Sequence, residues 1–232
     1  MTIMTSLPHG YRALVIGASG GIGSAVASVL EADPACGAVL RLSRRADGLD
    51  VTREESVAAA AERLDGEFHL IFSATGGLTI DGVGPEKSLR QISADAMMKQ
   101  FALNALGTAL VTKHFAPKLS RKERALMAFL SARVGSIGDN HLGGWISYRA
   151  SKAALNQIVR TASIELSRSH PQAVLLALHP GTVATTLSEK YSGNHARTEP
   201  ADSAKAMLSV LDGRDAGQTG HFYAYDGQPI EW

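Results

Sequence analysis

Short apolar runs alternate along this chain with stretches in which apolar positions return every three or four residues. Runs of the first kind suit strands covered on both faces, and stretches of the second suit helices with one buried side. Tyr11 to Ile16, Val39 to Ser43, a very short Leu49 to Val51, Phe68 to Ala74, Ala125 to Ser131, Ala173 to His179 and His221 to Tyr225 read as strands. Helical spacing fills Ser24 to Ala32, Arg53 to Leu64 with Thr52 as cap, Ala94 to Leu119, Ile146 to Ser167 and Ala201 to Leu211. This alternation predicts an α/β fold: a doubly wound parallel sheet of about seven strands with helices on both faces, a Rossmann fold in one domain over 1–232. Ligands of such sheets bind at the carboxyl ends of the strands.

Two places carry chemistry. The first strand runs straight into Gly17-Ala18-Ser19-Gly20-Gly21-Ile22-Gly23, and a helix follows. Gly17 permits a tight turn, Gly21 lets the backbone approach a pyrophosphate, and Gly23 allows close helix–strand packing, with the phosphates at a positive helix N-terminus. The second place is Tyr148-Arg149-Ala150-Ser151-Lys152. Residues four apart share a helical face, so the Lys152 ammonium can sit beside the Tyr148 phenol, favour its ionised form and make it a usable proton donor and acceptor. The end of the second strand, Arg41-Leu42-Ser43-Arg44-Arg45, bears on the cofactor. No carboxylate lies between Val39 and Arg45, and an arginine there accommodates a 2′-phosphate, which favours NADP(H) and leaves NAD(H) as the second candidate.

Charge and composition narrow the function. With 23 basic and 22 acidic side chains there is no electrostatic footprint for nucleic acid, and Arg121, Lys122 and Arg124 read as a solvated turn. No run of 18 apolar residues exists to span a bilayer, and Met1 to Gly10 lacks the features of a signal peptide, so the expected location is cytoplasmic, with no membrane partner. Cys36 is alone, which excludes a cysteine-built metal site, and the eight histidines show no metal-ligand spacing. His179, beside Pro180, is placed to approach a substrate, though it reads better as a satisfied loop or strand-end histidine. Small and apolar residues on more than one face of the two longest helices, among them Ala105, Ala109, Ala153, Ala154 and Ile158, predict a homodimer or homotetramer.

On these residues the chain resembles the short-chain dehydrogenase/reductase family over nearly its whole length. It is most similar to the C-factor- and sniffer-like carbonyl reductase branch, where segments like Gly135-Ser136-Ile137 and Gly143-Gly144-Trp145 flank the Tyr motif. Gly17, Gly21 and Gly23 match the family's glycine motif, which also contains Ser19 and Ile22. Leu49-Asp50-Val51-Thr52 matches the segment whose Asp50 and Val51 hold the adenine, and Ser73-Ala74-Thr75-Gly76 stands where the family usually has Asn-Asn-Ala-Gly. Asn104 matches the catalytic Asn, Tyr148 and Lys152 the catalytic Tyr-x-x-x-Lys, and Pro180 to Thr185, with Gly181 and Val183, the segment that holds the nicotinamide carboxamide. The resemblance implies hydride exchange with a small-molecule carbonyl or alcohol. In that reading Tyr148 gives the proton, a serine holds the oxygen, Lys152 lowers the phenol pKa and holds the ribose, and Asn104 anchors a relay water.

Three departures matter. Arg45 to Leu49 leaves no room for the helix that usually joins the second and third strands, so that side of the adenine pocket should be open. Both asparagines of the fourth-strand motif are gone, while Ala74 and Gly76 keep the small profile a cofactor requires. The usual catalytic serine slot aligns with Ala132, leaving Ser131 and Ser136 as candidates. Strand alternation turns Ser131 away, and Ser136 lies 12 residues before Tyr148, which favours Ser136 slightly. The missing serine keeps open a second reading, a dinucleotide-binding regulatory or signalling protein without turnover. Residues 182–200, carrying Tyr191, Gly193 and His195, read as a substrate lid facing His141, Leu142 and Trp145.

Overall fold

A computed structural model describes residues 2–185 and 197–232. Tyr191, Gly193 and His195, the core of the expected lid, lie outside the described residues. Six parallel strands form one sheet: β1 (Tyr11–Ile16), β2 (Cys36–Leu42), β3 (Leu70–Ser73), β4 (Ala125–Leu130), β5 (Ala173–His179) and β6 (Phe222–Ala224), in the order β2-β1-β3-β4-β5-β6. Around it lie α1 (Gly21–Glu31), α2 (Arg44–Asp47), α3 (Glu54–Glu62), α4 (Ala94–Phe101), α5 (Gly107–Phe115), α6 (Ile146–Ser169) and α7 (Pro200–Asp212). The strand order runs outward from β1 to β2 and restarts on the other side of β1 with β3, which opens a crevice at their carboxyl ends.

Alternation along the strands sorts their side chains into two cores. Leu14, Ile16, Ile71 and Phe129 meet Val57, Val111, Leu155 and Val159 from α3, α5 and α6 on one face. Val15, Phe72, Leu126 and Leu176 meet Val26, Leu30, Met207 and Leu208 from α1 and α7 on the other. Each such side chain contributes roughly 1.5–3 kcal/mol when fully buried, which is why β3, β4 and most of β5 carry almost no polar residue.

Several boundaries differ from the sequence expectation. Leu49 to Val51 is not a strand, so the sheet has six strands among the described residues. Leu49 and Val51 are buried, yet the Leu49 amide turns back to the Ser43 carbonyl (3.3 Å) and the Asp50 amide goes to the Ser56 hydroxyl (2.9 Å). The cap of α3 is Arg53 rather than Thr52, because the Thr52 hydroxyl is donated to Asp50 (2.7 Å). The helix expected over Ala94 to Leu119 is broken by a π turn at Ala102–Leu106. The side expected to be open holds the single helical turn α2. Arg124 is not solvated: its Nε donates to the Ser6 hydroxyl (2.8 Å) and its Nη2 to the Asp212 carbonyl (3.1 Å), while the Asp212 carboxylate accepts from the Thr5 and Ser6 amides (3.0 Å each). No helix among the described residues is long and apolar enough to cross a membrane.

Candidate active site

The crevice is floored by the turns that follow β1 and β3. Gly17 adopts φ 84°, a left-handed conformation that glycine takes without strain. A Cβ there would stand 2.9 Å from the backbone carbon of Ala74, so the two turns pack backbone against backbone. The Gly17 and Ala18 amides donate to the Leu42 carbonyl (2.8 and 3.1 Å), tying this floor to the end of β2. Helix α1 then starts with no side-chain cap and no acidic residue in its first turn, beside the exposed Ser19, Gly20 and Gly21. The first amides at the positive end of an eleven-residue helix, with no side-chain cap, form a cradle that fits a pyrophosphate. A Cβ at Gly21 would lie 2.8 Å from Cγ2 of Thr185, so the segment from Pro180 to Thr185 passes directly beside the cradle. Within that segment Gly181 has φ 77° and Val183, which is buried, bridges to Thr198. Gly23 packs against the Gly17 carbonyl, and Ile22 is half-buried.

Farther along the crevice, Ala74, Thr75 and Gly76 are half-buried after β3, with the Ser73 and Thr75 hydroxyls 3.1 Å apart. Val51 is buried against Gly107. The carboxylate of Asp50 is engaged through Oδ1 by the Thr52 hydroxyl and amide, and those hydrogen bonds hold it below the usual carboxylate range. At the end of β2, Arg41 is committed to Glu31 (2.7 Å), whereas Arg44 and Arg45 are exposed.

The other wall comes from the start of α6 and the π turn. Tyr148 and Lys152 are both buried, and the Lys152 Nζ lies 5.9 Å from the centre of the Tyr148 ring. Nζ donates to the Leu130 carbonyl at the end of β4 (2.9 Å). A Cβ at Gly76 would meet both this Nζ and Oδ1 of Asn104 at 3.0 Å, so Gly76, Asn104 and Lys152 converge on one point. Asn104 is fully hydrogen-bonded: Oδ1 accepts from the Gly77 amide (3.0 Å), and Nδ2 donates to the Gly77 carbonyl (3.0 Å), Gln100 Oε1 (2.7 Å) and the Ser151 hydroxyl (3.1 Å). The π turn sets this side chain between two helices. Burial pushes the Tyr148 phenol up, not down as the sequence reading expects from its lysine, and pushes the Lys152 ammonium down to about 7. Removal from water outweighs the attraction of an ammonium almost 6 Å from the ring centre. A phenol raised in this way stays protonated at neutral pH, the state a proton donor needs.

The two candidate serines have different occupations. Ser131 is buried and its hydroxyl donates to Asn156 Oδ1 (2.6 Å), an amide whose Nδ2 donates to the Gly135 carbonyl (3.3 Å). Ser136 accepts the Asp139 amide (3.0 Å), which leaves its own proton for another acceptor. His141 and Leu142 are exposed, whereas Trp145 packs edge-on against Tyr148 with ring centres 6.4 Å apart. His179 is not satisfied: its Nδ1 is buried without a hydrogen-bond partner among the described residues, and burial pushes the ring down to about 4. Two acids escaped the sequence reading. Glu86 is buried; its carboxylate accepts from the amide (3.2 Å) and hydroxyl of Ser147, and its carbonyl accepts from the Trp145 amide (2.6 Å), clasping the start of α6. Asp47 folds back onto Ser43, accepting its amide (2.7 Å). A glycine cradle and a buried phenol–ammonium pair at opposite ends of one crevice can hold a dinucleotide and exchange a proton with an oxygen beside it.

Comparison with known proteins agrees with this geometry. The family model for short chain dehydrogenases matches residues 11–196. The chain is 34% identical over 188 residues to the 1-hydroxy-2-glutathionyl-2-methyl-3-butene dehydrogenase of Rhodococcus sp., covering 80% of this chain and 79% of that one. It is 37% identical over 137 residues to the C-signal protein of Myxococcus xanthus, covering 59% and 78%. In structure it is similar to an NADPH-bound carbonyl reductase from chicken fatty liver, with TM-score 0.83, 24% identity and coverage of 99% and 96%. It also resembles the carbonyl reductase Sniffer of D. melanogaster, with TM-score 0.81, 19% identity and coverage of 97% and 100%. With the glycine cradle, the Tyr–Lys pair and the parallel sheet all in the family's order, the chain belongs to the short-chain dehydrogenase family.

Proposed function

We propose that this protein is an NADP(H)-dependent carbonyl reductase or alcohol dehydrogenase. The observation that carries the reading is the buried Tyr148–Lys152 pair converging with Asn104 and Gly76 on the strand-end crevice that also holds the glycine cradle. When bound, the nicotinamide supplies or takes the hydride. Gly17, Ser19, Gly21, Ile22 and Gly23 hold the pyrophosphate, and Pro180, Gly181, Val183 and Thr185 hold the nicotinamide end. Asp50 and Val51 border the adenine, and Ala74, Thr75 and Gly76 line the ribose side. Tyr148 donates a proton to the oxygen that gains charge as a carbonyl is reduced, and takes it back in the reverse direction. Ser136 has the free hydroxyl proton to hold that oxygen, and Ser131 is spent on Asn156. Lys152 binds the nicotinamide ribose, and its ammonium supports the phenolate left after transfer. Asn104 anchors the route by which the phenol is reprotonated.

Arg44, with Arg45 beside it, favours the 2′-phosphate of NADP(H) through a charge-assisted contact. NADPH-bound neighbours of the same fold support this choice. The protein assembles as a homodimer or homotetramer: a groove of about 570 Å³ runs between α5 and α6, where Ala109, Ile158, Ala162 and Leu166 lie among polar residues such as Lys113 and Glu165. The test is NADPH oxidation over a panel of aldehydes and ketones, with NADPH binding measured in parallel. Binding with turnover of no carbonyl or alcohol would sink the enzymatic reading.

A further inference from the structure

The end of β2 carries a carboxylate that the linear sequence hides. Asp47 stands beyond the stretch from Val39 to Arg45, yet the single turn α2, closed by Gly48 at φ 69°, returns its side chain to Ser43. Asp47 Oδ2 accepts the Ser43 amide at 2.7 Å and lies 3.4 Å from the Ser43 hydroxyl, whose oxygen in turn accepts the Ala46 amide at 3.1 Å. Ser43 follows Leu42, whose carbonyl holds the Gly17 and Ala18 amides, so this carboxylate sits on the strand end that ties down the glycine cradle. Among the described residues Asp47 Oδ1 has no protein partner and no arginine pairs with the carboxylate, although Arg44 and Arg45 precede it by three and two residues and are exposed.

We propose that Asp47 is a specificity-determining residue that limits the preference for NADP(H) and keeps NAD(H) usable; the inference rests on the dinucleotide-binding reading above. Two opposed effects meet at this position. Arg44 attracts a 2′-phosphate, but Asp47 sets a like charge beside it and occupies the Ser43 amide that would otherwise donate to it. A ribose diol meets the opposite environment, because its hydroxyls are donors and the free Oδ1 is an acceptor. NADH therefore takes Asp47 as it stands, whereas NADPH must displace or tolerate it.

The test is fluorescence titration of NADPH and NADH, with melting temperature as a fold control, on the wild-type protein, Asp47→Asn and Asp47→Ala. Asp47→Asn keeps an acceptor for the Ser43 amide and removes only the charge; Asp47→Ala frees the amide as well. Both should raise the NADPH-to-NADH affinity ratio by about fivefold or more, mainly through tighter NADPH binding, with the larger rise in Asp47→Ala. A rise of less than about fivefold in Asp47→Asn, with its melting temperature unchanged, overturns the role assigned to Asp47 while leaving the dinucleotide reading in place. Binding of neither dinucleotide to the wild-type protein overturns both.

Discussion

The two walls of the crevice are built on different principles. On the α6 side the working groups are buried in an anchored network: Asn104 makes four hydrogen bonds, Lys152 donates to the Leu130 carbonyl, and Glu86 holds the helix start. On the β2 side Arg44, Arg45 and Asp47 are exposed, and α2 is one turn with no buried residue. Chemistry needs atoms fixed within a fraction of an ångström, which only a packed and satisfied network provides. Choosing between two cofactors needs only a difference in charge at the surface. Substitutions on the first wall should therefore change rate and stability, and those on the second should change affinity alone.

The largest effect is expected from Tyr148→Phe, which removes the proton donor and leaves the ring. Turnover should fall by about 10²–10⁴-fold while NADPH affinity stays within a few-fold, measured by steady-state kinetics beside titration. Ordinary turnover in that variant would erase the distinction between the walls. Next is Ser136→Ala, which should cost about 10²-fold in turnover as an oxyanion donor is lost. Ser131→Ala should instead lower the melting temperature, because it leaves buried Asn156 one hydrogen bond short. The reverse pattern would move the catalytic role to Ser131.

Lys152 offers a test through pH. Its folded pKa, near 7, lies below the ordinary lysine range of ~10.4, so between these values the unfolded chain holds the extra proton and stability rises with pH. At pH 6 the buried ammonium imposes its full penalty. Lys152→Met removes that penalty, so its stability relative to the wild type should be greatest below pH 7 and decline by about 4 kcal/mol toward pH 10, read by denaturant unfolding of the ligand-free protein. A difference that does not vary with pH would show that Lys152 is well solvated. The smallest effect belongs to the exposed wall: Arg44→Asp should narrow or reverse the cofactor preference by roughly tenfold with no change in melting temperature.

The order of strands and helices was legible because β1, β3, β4 and β5 are almost wholly apolar, and the Tyr148–Lys152 spacing announces a shared helical face. What escaped notice depends on contacts made across the chain. Leu49 and Val51 are buried and apolar in a turn just as they would be in a strand, so pattern alone cannot separate the two. Ala102 to Leu106 contains good helix formers, and nothing local signals that the helix widens there to set Asn104. Asp47 looks like one more surface charge until the left-handed Gly48 closes the turn, and Glu86 looks the same until Ser147 arrives from 61 residues away.

That last pairing has a consequence for how the protein fails on heating. The start of α6 is hooked to the segment after β3, which packs few large side chains and carries exposed Val83 and Leu89, whereas the sheet beneath is held by two apolar cores. Such a segment opens at a lower free energy than the sheet. When it opens, Trp145 and Ser147 lose their tether and the ring of Tyr148 loses its register, although nearly all the secondary structure survives. Inactivation should therefore run ahead of melting, with activity lost at temperatures where circular dichroism still reports a folded protein.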